Sequence, residues 1–525
     1  MRSLLVCSVW FVLALGLLIV SASSSATAFA PVPAPAKAEG RPNVLFCISD
    51  DQSYAHAGAN GDLIVQTPAF DRVAREGICF THAFCDAPSC GPSRSAILTG
   101  QHIWRLEEAG NIHSTLPKKF ATYTEELAKV GYFVGYTGKG WSPGRDAPGG
   151  RTSNAAGQGF FRLQYGRGPL KDTPRPRGMG ATAYAQNFGD FLSKQPKGKP
   201  FCFWLGTYEP HRGYVPGLWK GTNKEKMLSK VVVPPYFPDH EIVRKDILDY
   251  YMEVEHYDRA VADAIAMLEK SGQLENTIIV VTSDHGMPFP RAKASLYDAG
   301  TRVPLAIRWP GGIKKPGRAY EGMVNLSDIA ATVLEAANVK VPAMMTANSL
   351  LDVFSSASAK VREHAYIAME RHDGCRKGGK GYPSRAIRTK DFLYIKNITP
   401  QRWPAGDPDR NNCARFIPFG EVDSSPTKQL LMDHSKKAGF KRFYDLAFAK
   451  RPGEELYDLK RDPGQLVNVA NKKAYAAIRK QLSGELESHL IKTKDPRSLG
   501  LDAPWDYYPY YGRKRNKNWQ VDAKP

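Results

Sequence analysis

Cysteine is scarce in this chain, with 8 residues among 525. A small fold held together by disulfides needs a far higher proportion, so the cysteines do not form a disulfide framework. Cys47 and Cys202 lie in apolar runs that are typical of buried strands, where we expect inert thiols. Cys375 and Cys413 fall in polar, glycine-rich stretches and could pair with each other.

Long apolar runs are absent after residue 30, so we expect no internal membrane span. The one such run, at 4–20, follows Arg2 and precedes small residues with A-x-A cleavage patterns, as in a secretory signal peptide over residues 1–30. An uncleaved membrane anchor is the alternative. A cleaved signal predicts a secreted or periplasmic protein with no stable membrane span, and residues 31–40 are a predicted Pro/Ala linker.

Acidic residues are in deficit, with 52 Asp and Glu against 72 Lys and Arg, which gives a formal net charge of +20. On an exported protein this excess favours an anionic partner, such as an acidic polysaccharide or a membrane surface. Nucleic acid is not expected as a partner in that compartment. A charge that serves solubility alone is the alternative.

The first 340 residues alternate between short apolar runs and helical patterns. Strands are predicted at 43–49, 132–137, 201–207, 277–282 and 303–309. Strands separated by helices predict an α/β fold with a mainly parallel sheet between helices. In such sheets the chemistry lies at the carboxyl ends of strands. We assign residues 41–358 to this predicted catalytic domain.

The pattern changes near residue 360. Short strand-like runs at 364–369, 385–389 and 392–397, with a helical pattern at 472–491, predict a smaller antiparallel sheet with one packed helix. We assign residues 359–500 to this C-terminal subdomain. Residues 501–525 form an aromatic and basic tail.

Acidic residues directly follow two of the predicted strands. Asp50 and Asp51 end the first strand, and Asp284 with His285 follows the strand at 277–282. Adjacent carboxylates repel each other, so a positive charge must offset them, and hard oxygen ligands suit Ca²⁺ or Mg²⁺. The two strand ends could therefore meet at one ion. Ordinary solvated strand-to-loop turns are the alternative.

The segment from Cys90 to Gly100 reads CGPSRSAILTG. Pro92 fits the first turn of a helix, so we expect Cys90 at a helix N-terminus, where backbone N–H groups and the dipole favour negative charge. Arg94, one turn further on, can reach an anion with its planar guanidinium. The residues alone predict an activated thiolate beside an anion site, with a structural cysteine as the alternative.

This segment resembles the signature of the type I sulfatases, C-x-P-S-R followed by L-T-G, in the alkaline phosphatase-like superfamily. In that family the motif cysteine is oxidised after synthesis to Cα-formylglycine. The resemblance implies that Cys90 becomes this nucleophile, and that a formylglycine-generating maturation enzyme is a partner. It covers residues from about 41 to about 495.

The resemblance also implies roles for other residues. The ligands of the family's single Ca²⁺ correspond here to Asp50, Asp51, Asp284 and His285, with Cys90 beside the ion. The catalytic residues correspond to Cys90, Arg94, Lys139, His211 and Lys293. Of these, Lys293 resembles the lysine that touches the sulfate. His211 and Lys293 are both candidate proton donors to the leaving group.

Two positions depart from the family pattern. The family usually has a histidine where this chain has Trp141, so another residue must assist Cys90 or breakdown of the intermediate differs.

Several stretches resemble the branch that cleaves the N-sulfate of glucosamine; they are residues 210–212, 234–238, 284–290 and 382–385. That branch tends to have arginine where this chain has Lys293.

Polar residues of the smaller domain are candidate sugar contacts. Glu370, Arg371 and His372 end a predicted strand, and polar residues at strand ends can line a cleft. Arg402 and Trp403 lie in the following loop and could clamp a sugar by charge and stacking. A solvated rim is the alternative.

The sequence therefore predicts a sulfatase whose substrate is a sulfated carbohydrate, with the N-sulfate of a terminal glucosamine as the favoured linkage. An O-sulfatase acting on another sugar is one alternative. A phosphomonoester or phosphonate hydrolase of the same superfamily is another. If Cys90 stays a thiol, a non-catalytic binder of sulfated glycan is a third.

Overall fold

The computed structural model describes residues 40–524. The predicted signal peptide at 1–30 and residues 31–39 of the predicted linker lie outside that range. Among the described residues, no helix combines the length and the apolarity that crossing a bilayer would need.

A sheet of eight strands forms the centre of the fold. In spatial order its strands are β5 (Gln158–Gly159), β4 (Phe133–Gly138), β6 (Phe201–Gly206), β1 (Asn43–Ser49), β7 (Thr277–Ser283), β8 (Leu305–Arg308), β2 (Ile78–Phe80) and β9 (Arg318–Tyr320). The strands from β5 to β7 are parallel, whereas β8 runs antiparallel to both of its neighbours. The predicted α/β fold with a mainly parallel sheet is confirmed.

Both faces of this sheet are buried, because alternate residues of a strand point to opposite faces. On β1, Val44, Phe46 and Ile48 pack into one core, while Leu45 and Cys47 pack into the other. A strand covered on both faces needs such a continuous apolar run.

Helices lie on both faces of this sheet and also pack against the parts of the chain that follow it. In chain order they are α1 (Pro68–Glu76), α2 (Cys90–Thr99), α3 (Tyr123–Lys129), α4 (Tyr184–Ser193), α5 (Glu241–Lys270), α6 (Asp298–Thr301), α7 (Asp328–Ala336), α8 (Leu351–Ser355), α9 (Pro426–Asp433), α10 (Lys441–Phe448) and α11 (Ala476–Lys492). Residues of α1, α4 and α5 pack into one core, and residues of α2, α3 and α7 into the other. A short parallel pair, β3 (Ala83–Phe84) and β10 (Val324–Asn325), lies apart from the large sheet.

A second sheet of four antiparallel strands follows. Its strands are β11 (Ala365–Met369), β12 (Ser384–Arg388), β13 (Phe392–Asn397) and β14 (Glu454–Asp458). Leucines of α11 pack on one face, and Leu296 and Tyr297 of the preceding region pack on the other. The predicted small sheet with one packed helix is confirmed. The sequence did not predict β14, because three of its five residues are charged.

The tail is anchored to the rest of the chain, since Trp505, Tyr510 and Trp519 are buried. None of the seven cysteines within residues 40–524 forms a disulfide. Cys413 Sγ lies 3.4 Å from the carbonyl oxygen of Cys375, so the two residues are neighbours whose suggested pairing is not formed.

Candidate active site

The carboxyl ends of β1 and β7 bring the predicted acidic residues together. The two strands pair in parallel with Ser49 opposite Ser283, so the residues that follow them lie side by side. The N–H of Asp51 donates to Asp284 Oδ1 at 3.0 Å. Asp51 has a φ of 78°, a left-handed conformation that costs energy outside glycine and clusters at functional sites. Asp50, Asp51 and Asp284 are all fully buried at this point.

Cys90 is the first residue of α2, as the motif predicts, and it is also buried. Its Sγ lies 3.3 Å from His285 Nε2 and 3.9 Å from Asp51 Oδ1. Burial, followed by the Asp50 carboxylate, raises the pKa of the Cys90 thiol. Burial and the acidic neighbours thus oppose the helix N-terminus and the nearby lysines, and they favour the neutral thiol over the thiolate that the motif alone predicts.

Three predicted cations each donate a hydrogen bond to one of the strand-end carboxylates. The pairs are Arg94 Nε with Asp284 Oδ2 at 2.9 Å, Lys139 Nζ with Asp50 Oδ2 at 2.5 Å, and Lys293 Nζ with Asp51 Oδ2 at 2.7 Å. All six side chains are almost completely buried. The charges are thus fixed in place before any ligand arrives.

The charges in the cluster are not evenly balanced. Burial would raise the pKa of the Asp284 carboxyl, but Arg94 brings it below its ordinary value. Burial raises the pKa of Asp50, and Lys139 offsets only part of that increase. Burial would lower the pKa of His285, yet the neighbouring carboxylates raise it well above its ordinary value. The site therefore favours additional positive charge beside Asp50.

The same cluster fits a divalent cation. Ligand atoms of Asp50, Cys90, Asp284 and His285 lie within 4.8 Å of one another. Asp50 Oδ1 is buried and receives no hydrogen bond from the described residues, although Arg94 Nη2 lies 3.6 Å from it. Such an oxygen is costly unless a cation binds it. The strand-end carboxylates offer the hard oxygen ligands that Ca²⁺ prefers, whereas the His285 nitrogen suits that ion less well.

His211 follows β6 and lies beside Asp51. Its Nδ1 donates to the carbonyl of Arg212 at 2.5 Å, which leaves Nε2 for other partners. Ligand atoms of Asp51, His211 and Asp423 lie within 4.8 Å of one another, and Asp423 Oδ2 accepts from Lys293 Nζ at 2.9 Å. The sequence did not predict Asp423, because it lies in an irregular loop with no motif around it.

Trp141 occupies the position where a histidine is usual in the family that the motif resembles. Its Nε1 donates to Ser95 Oγ at 2.8 Å, and the side chain is buried. Indole has no acid–base role at neutral pH. The imidazole that contacts Cys90 in this protein is that of His285.

Of the five predicted sugar contacts, His372 comes close to the cluster. Its Nδ1 pairs with Ser89 Oγ at 2.8 Å, directly before Cys90. Burial, and then Lys293, lowers the pKa of His372 to about 3, so its imidazole is neutral.

The other four predicted sugar contacts have partners within the protein. These pairs are Glu370 with Arg385 and Arg497, Arg371 with the Pro509 carbonyl, Arg402 with Asp506, and Trp403 with Phe419. Glu370 and Arg402 use their charged groups in these pairs, whereas Arg371 Nε has no hydrogen-bond partner among the described residues and Trp403 makes a ring contact. A role in sugar binding stays a prediction for all four.

Known proteins resemble the chain over most of its length. Residues 42–339 match the sulfatase family model, and residues 288–407 match the model described as N-sulphoglucosamine sulphohydrolase, C-terminal. An ulvan-active sulfatase from Formosa agariphila is 26% identical over 489 residues, covering 92% of this chain and 86% of the relative. Human N-sulphoglucosamine sulphohydrolase is 26% identical over 493 residues, covering 86% of this chain and 91% of the relative.

A solved structure supports the same fold. A protein in complex with its substrate D-glucosamine-2-N,6-O-disulfate superposes with a TM-score of 0.59 at 21% identity, covering 87% of this chain and 98% of that one. This likeness confirms the alkaline phosphatase-like architecture. Since the sulfatase model spans more than half of the sequence, the chain belongs to the sulfatase family of sulfuric ester hydrolases.

Proposed function

We propose that this protein hydrolyses a sulfated sugar, and that its substrate carries the N-sulfate of glucosamine. The observation that supports this most is the buried cluster around Cys90, in which strand-end carboxylates alternate with Arg94, Lys139 and Lys293. The sugar class is inferred from the match to the N-sulphoglucosamine sulphohydrolase C-terminal model and from the human relative of that name.

The three cations would bind and stabilise the sulfate. A sulfate ester carries one negative charge that repels nucleophiles, and Arg94, Lys139 and Lys293 offset it. Each cation is held by a buried carboxylate, so little reorganisation is needed when charge develops on the sulfate oxygens. Burial strengthens these interactions, because the surroundings have a low dielectric constant.

Two groups that the family implies would complete the site. Residue 90 would be Cα-formylglycine, whose hydrate supplies the hydroxyl that attacks sulfur, and a dedicated enzyme would install it. The neutral thiol of Cys90 is a weak nucleophile, which fits a need for such conversion. Asp50, Asp51 and Asp284 would hold one Ca²⁺, which supplies positive charge beside residue 90 and the sulfate. His285 would hydrogen-bond the side chain of residue 90 in place of the usual histidine.

His211 would give a proton to the leaving group. Its Nδ1 is committed to the Arg212 carbonyl, so Nε2 is the atom that can hold the proton and deliver it. Cleavage of an N–S bond releases an amine, which is a poor leaving group unless its nitrogen is protonated. Carboxylate oxygens of Asp51 and Asp423 lie within 4.8 Å of one ring nitrogen of His211.

Export and charge fit this substrate class. The predicted signal peptide would place the enzyme outside the cytoplasm, where sulfated polysaccharides occur. The net charge of +20 would attract a polyanion through long-range steering.

A panel of sulfated sugars tests the proposal. Released sulfate is measured for glucosamine N-, 3-O- and 6-O-sulfates, for galactose sulfates, and for a phosphate monoester. We expect the highest kcat/KM with the N-sulfate. Turnover of galactose sulfates alone would overturn the substrate class, and preference for the phosphate monoester would favour the phosphohydrolase alternative.

A further inference from the structure

Asp423 is a carboxylate that sulfate binding does not explain. Its Oδ2 accepts from Lys293 Nζ, and its side chain is 20% exposed, whereas that of Asp51, the other partner of Lys293, is 0% exposed. Asp423 Oδ1 receives no hydrogen bond from the residues that the structure describes. A carboxylate accepts hydrogen bonds only and repels sulfate oxygens. A carboxylate beside a sulfate-binding site is therefore favourable only if its free oxygen accepts a hydrogen bond from a donor group.

The backbone around Asp423 is held firmly. Lys428 Nζ donates to the carbonyls of Phe419 and Val422 at 3.0 and 2.8 Å, on the N-terminal side of Asp423. Ser425 caps α9 on the other side by accepting from the Lys428 N–H. Lys428 is buried, so these bonds are shielded from water. These contacts hold the Asp423 carboxylate in one position, so it can favour ligands that place a hydrogen-bond donor there.

We propose that Asp423 is a specificity-determining residue that accepts a hydrogen bond from the N–H or O–H donor of the sugar at, or next to, the sulfated atom. This inference rests on the proposed function and narrows it. A carboxylate oxygen of Asp423 lies within 4.8 Å of a ring nitrogen of His211, so the two side chains border the same part of the site. An amine released by N–S cleavage is a cation near neutral pH, and it meets Asp423 in a charge-assisted hydrogen bond.

A purely structural role would confine Asp423 to positioning Lys293. Asp51 already holds Lys293 Nζ at 2.7 Å, so that ammonium has a second anchor. The two roles differ in their consequences. Loss of a Lys293 anchor affects every sulfate ester equally, whereas loss of a sugar contact affects only substrates that carry the donor.

Asp423→Asn separates the two roles. The asparagine oxygen can still accept from Lys293, while its NH₂ group presents a donor where the open acceptor was. We measure kcat and KM for glucosamine N-sulfate and for an aryl sulfate, with Asp433→Asn on the exposed end of α9 as the matched control. The loss in kcat/KM is expected to be at least about tenfold greater for the sugar. Equal losses on both substrates would overturn the proposal. If the asparagine variant does not fold, Asp423→Ser takes its place. Serine also removes the Lys293 anchor, so both substrates should lose kcat/KM, and the larger loss for the sugar is the readout.

Binding of unsulfated glucosamine provides a test that does not depend on turnover. Calorimetry on the wild-type protein and on Asp423→Asn should show affinity about tenfold weaker in the variant. Equal affinities would contradict the proposal. A wild-type protein that binds glucosamine through Asp423 but releases no sulfate from any substrate would defeat the proposed function and leave this contact standing.

Discussion

Two regions of the site are built in different ways. The active-site floor consists of Asp50, Asp51, Cys90, Asp284 and His285, which are buried where two central strands end and one helix begins. The loop wall consists of His211, His372 and Asp423, which come from irregular segments between the main elements. The register of β1 against β7 positions the floor, whereas contacts between distant parts of the chain position the wall.

We infer that the floor carries out the chemical step and that the loop wall determines which substrate is preferred. A change in the floor should abolish activity on every substrate, because the proposed nucleophile and metal site are assembled there. A change in the wall should alter which substrate is preferred, because the wall carries the groups that can meet the sugar. The predictions below test that division, beginning with the largest expected effect.

Replacing Cys90 with alanine should have the largest effect. Hydrolysis of every sulfate ester should fall by about 10⁴-fold or more, because the proposed nucleophile is removed. Aryl-sulfate turnover measures this, with Cys79→Ala as the control for loss of a thiol elsewhere. Near wild-type turnover in the Cys90 variant would show that the floor does not supply the nucleophile.

Replacing Asp284, a proposed metal ligand, should have the next largest effect. Asp284→Asn removes the closer of the two carboxylates paired with Arg94 and weakens the oxygen cluster, so bound metal should be lost and turnover should fall by about 100-fold on all substrates. Metal analysis of the purified proteins and activity in chelator, followed by re-addition of Ca²⁺ or Mg²⁺, measure the effect. Full activity of metal-free wild-type enzyme would contradict the metal site.

His211→Gln, a change in the loop wall, should reduce turnover of the sugar substrate more than turnover of an aryl sulfate. Turnover of glucosamine N-sulfate should fall by about 100-fold, because its amine leaves only when protonated. Turnover of 4-nitrophenyl sulfate should fall much less, since nitrophenolate leaves without a proton. The ratio of the two kcat values is the readout, and identical losses would place His211 outside proton transfer.

Glu370→Gln should chiefly reduce stability. Its carboxylate pairs with Arg385 and Arg497, so removing the charge leaves Arg385 with Asp495 as its remaining carboxylate partner and should cost about 2 kcal/mol of unfolding free energy. Denaturant unfolding measures that loss, and KM for the sugar should change little. A raised KM with unchanged stability would instead assign Glu370 to the loop wall.

The sequence allowed the floor to be predicted better than the wall. Asp50 and Asp284 follow apolar strands that are recognisable from their composition, and parallel pairing brings such strand ends together. Cys90 lies in a motif whose proline indicates a helix start. Asp423 has no such signal, because its place beside Lys293 depends on a chain separation of 130 residues. The sequence likewise gave no sign that Arg402 would pair with Asp506 of the tail, 104 residues away.

The electrostatics of Cys90 were also beyond prediction from the sequence. Its position at a helix N-terminus favours a thiolate, yet burial beside Asp50 raises its pKa. Local sequence describes the helix dipole, whereas the opposing burial and charges come from strands elsewhere in the chain. The neutral thiol makes the chemical state of residue 90 central to the proposed function.

The mass of the peptide spanning residues 80–104 tests that state most directly. It should be measured on enzyme from several preparations, together with aryl-sulfate turnover of each preparation. We predict a peptide lighter than the cysteine form, as expected for an aldehyde in place of the thiol, and turnover proportional to the converted fraction. Full turnover by enzyme whose residue 90 is entirely unmodified cysteine would contradict the account.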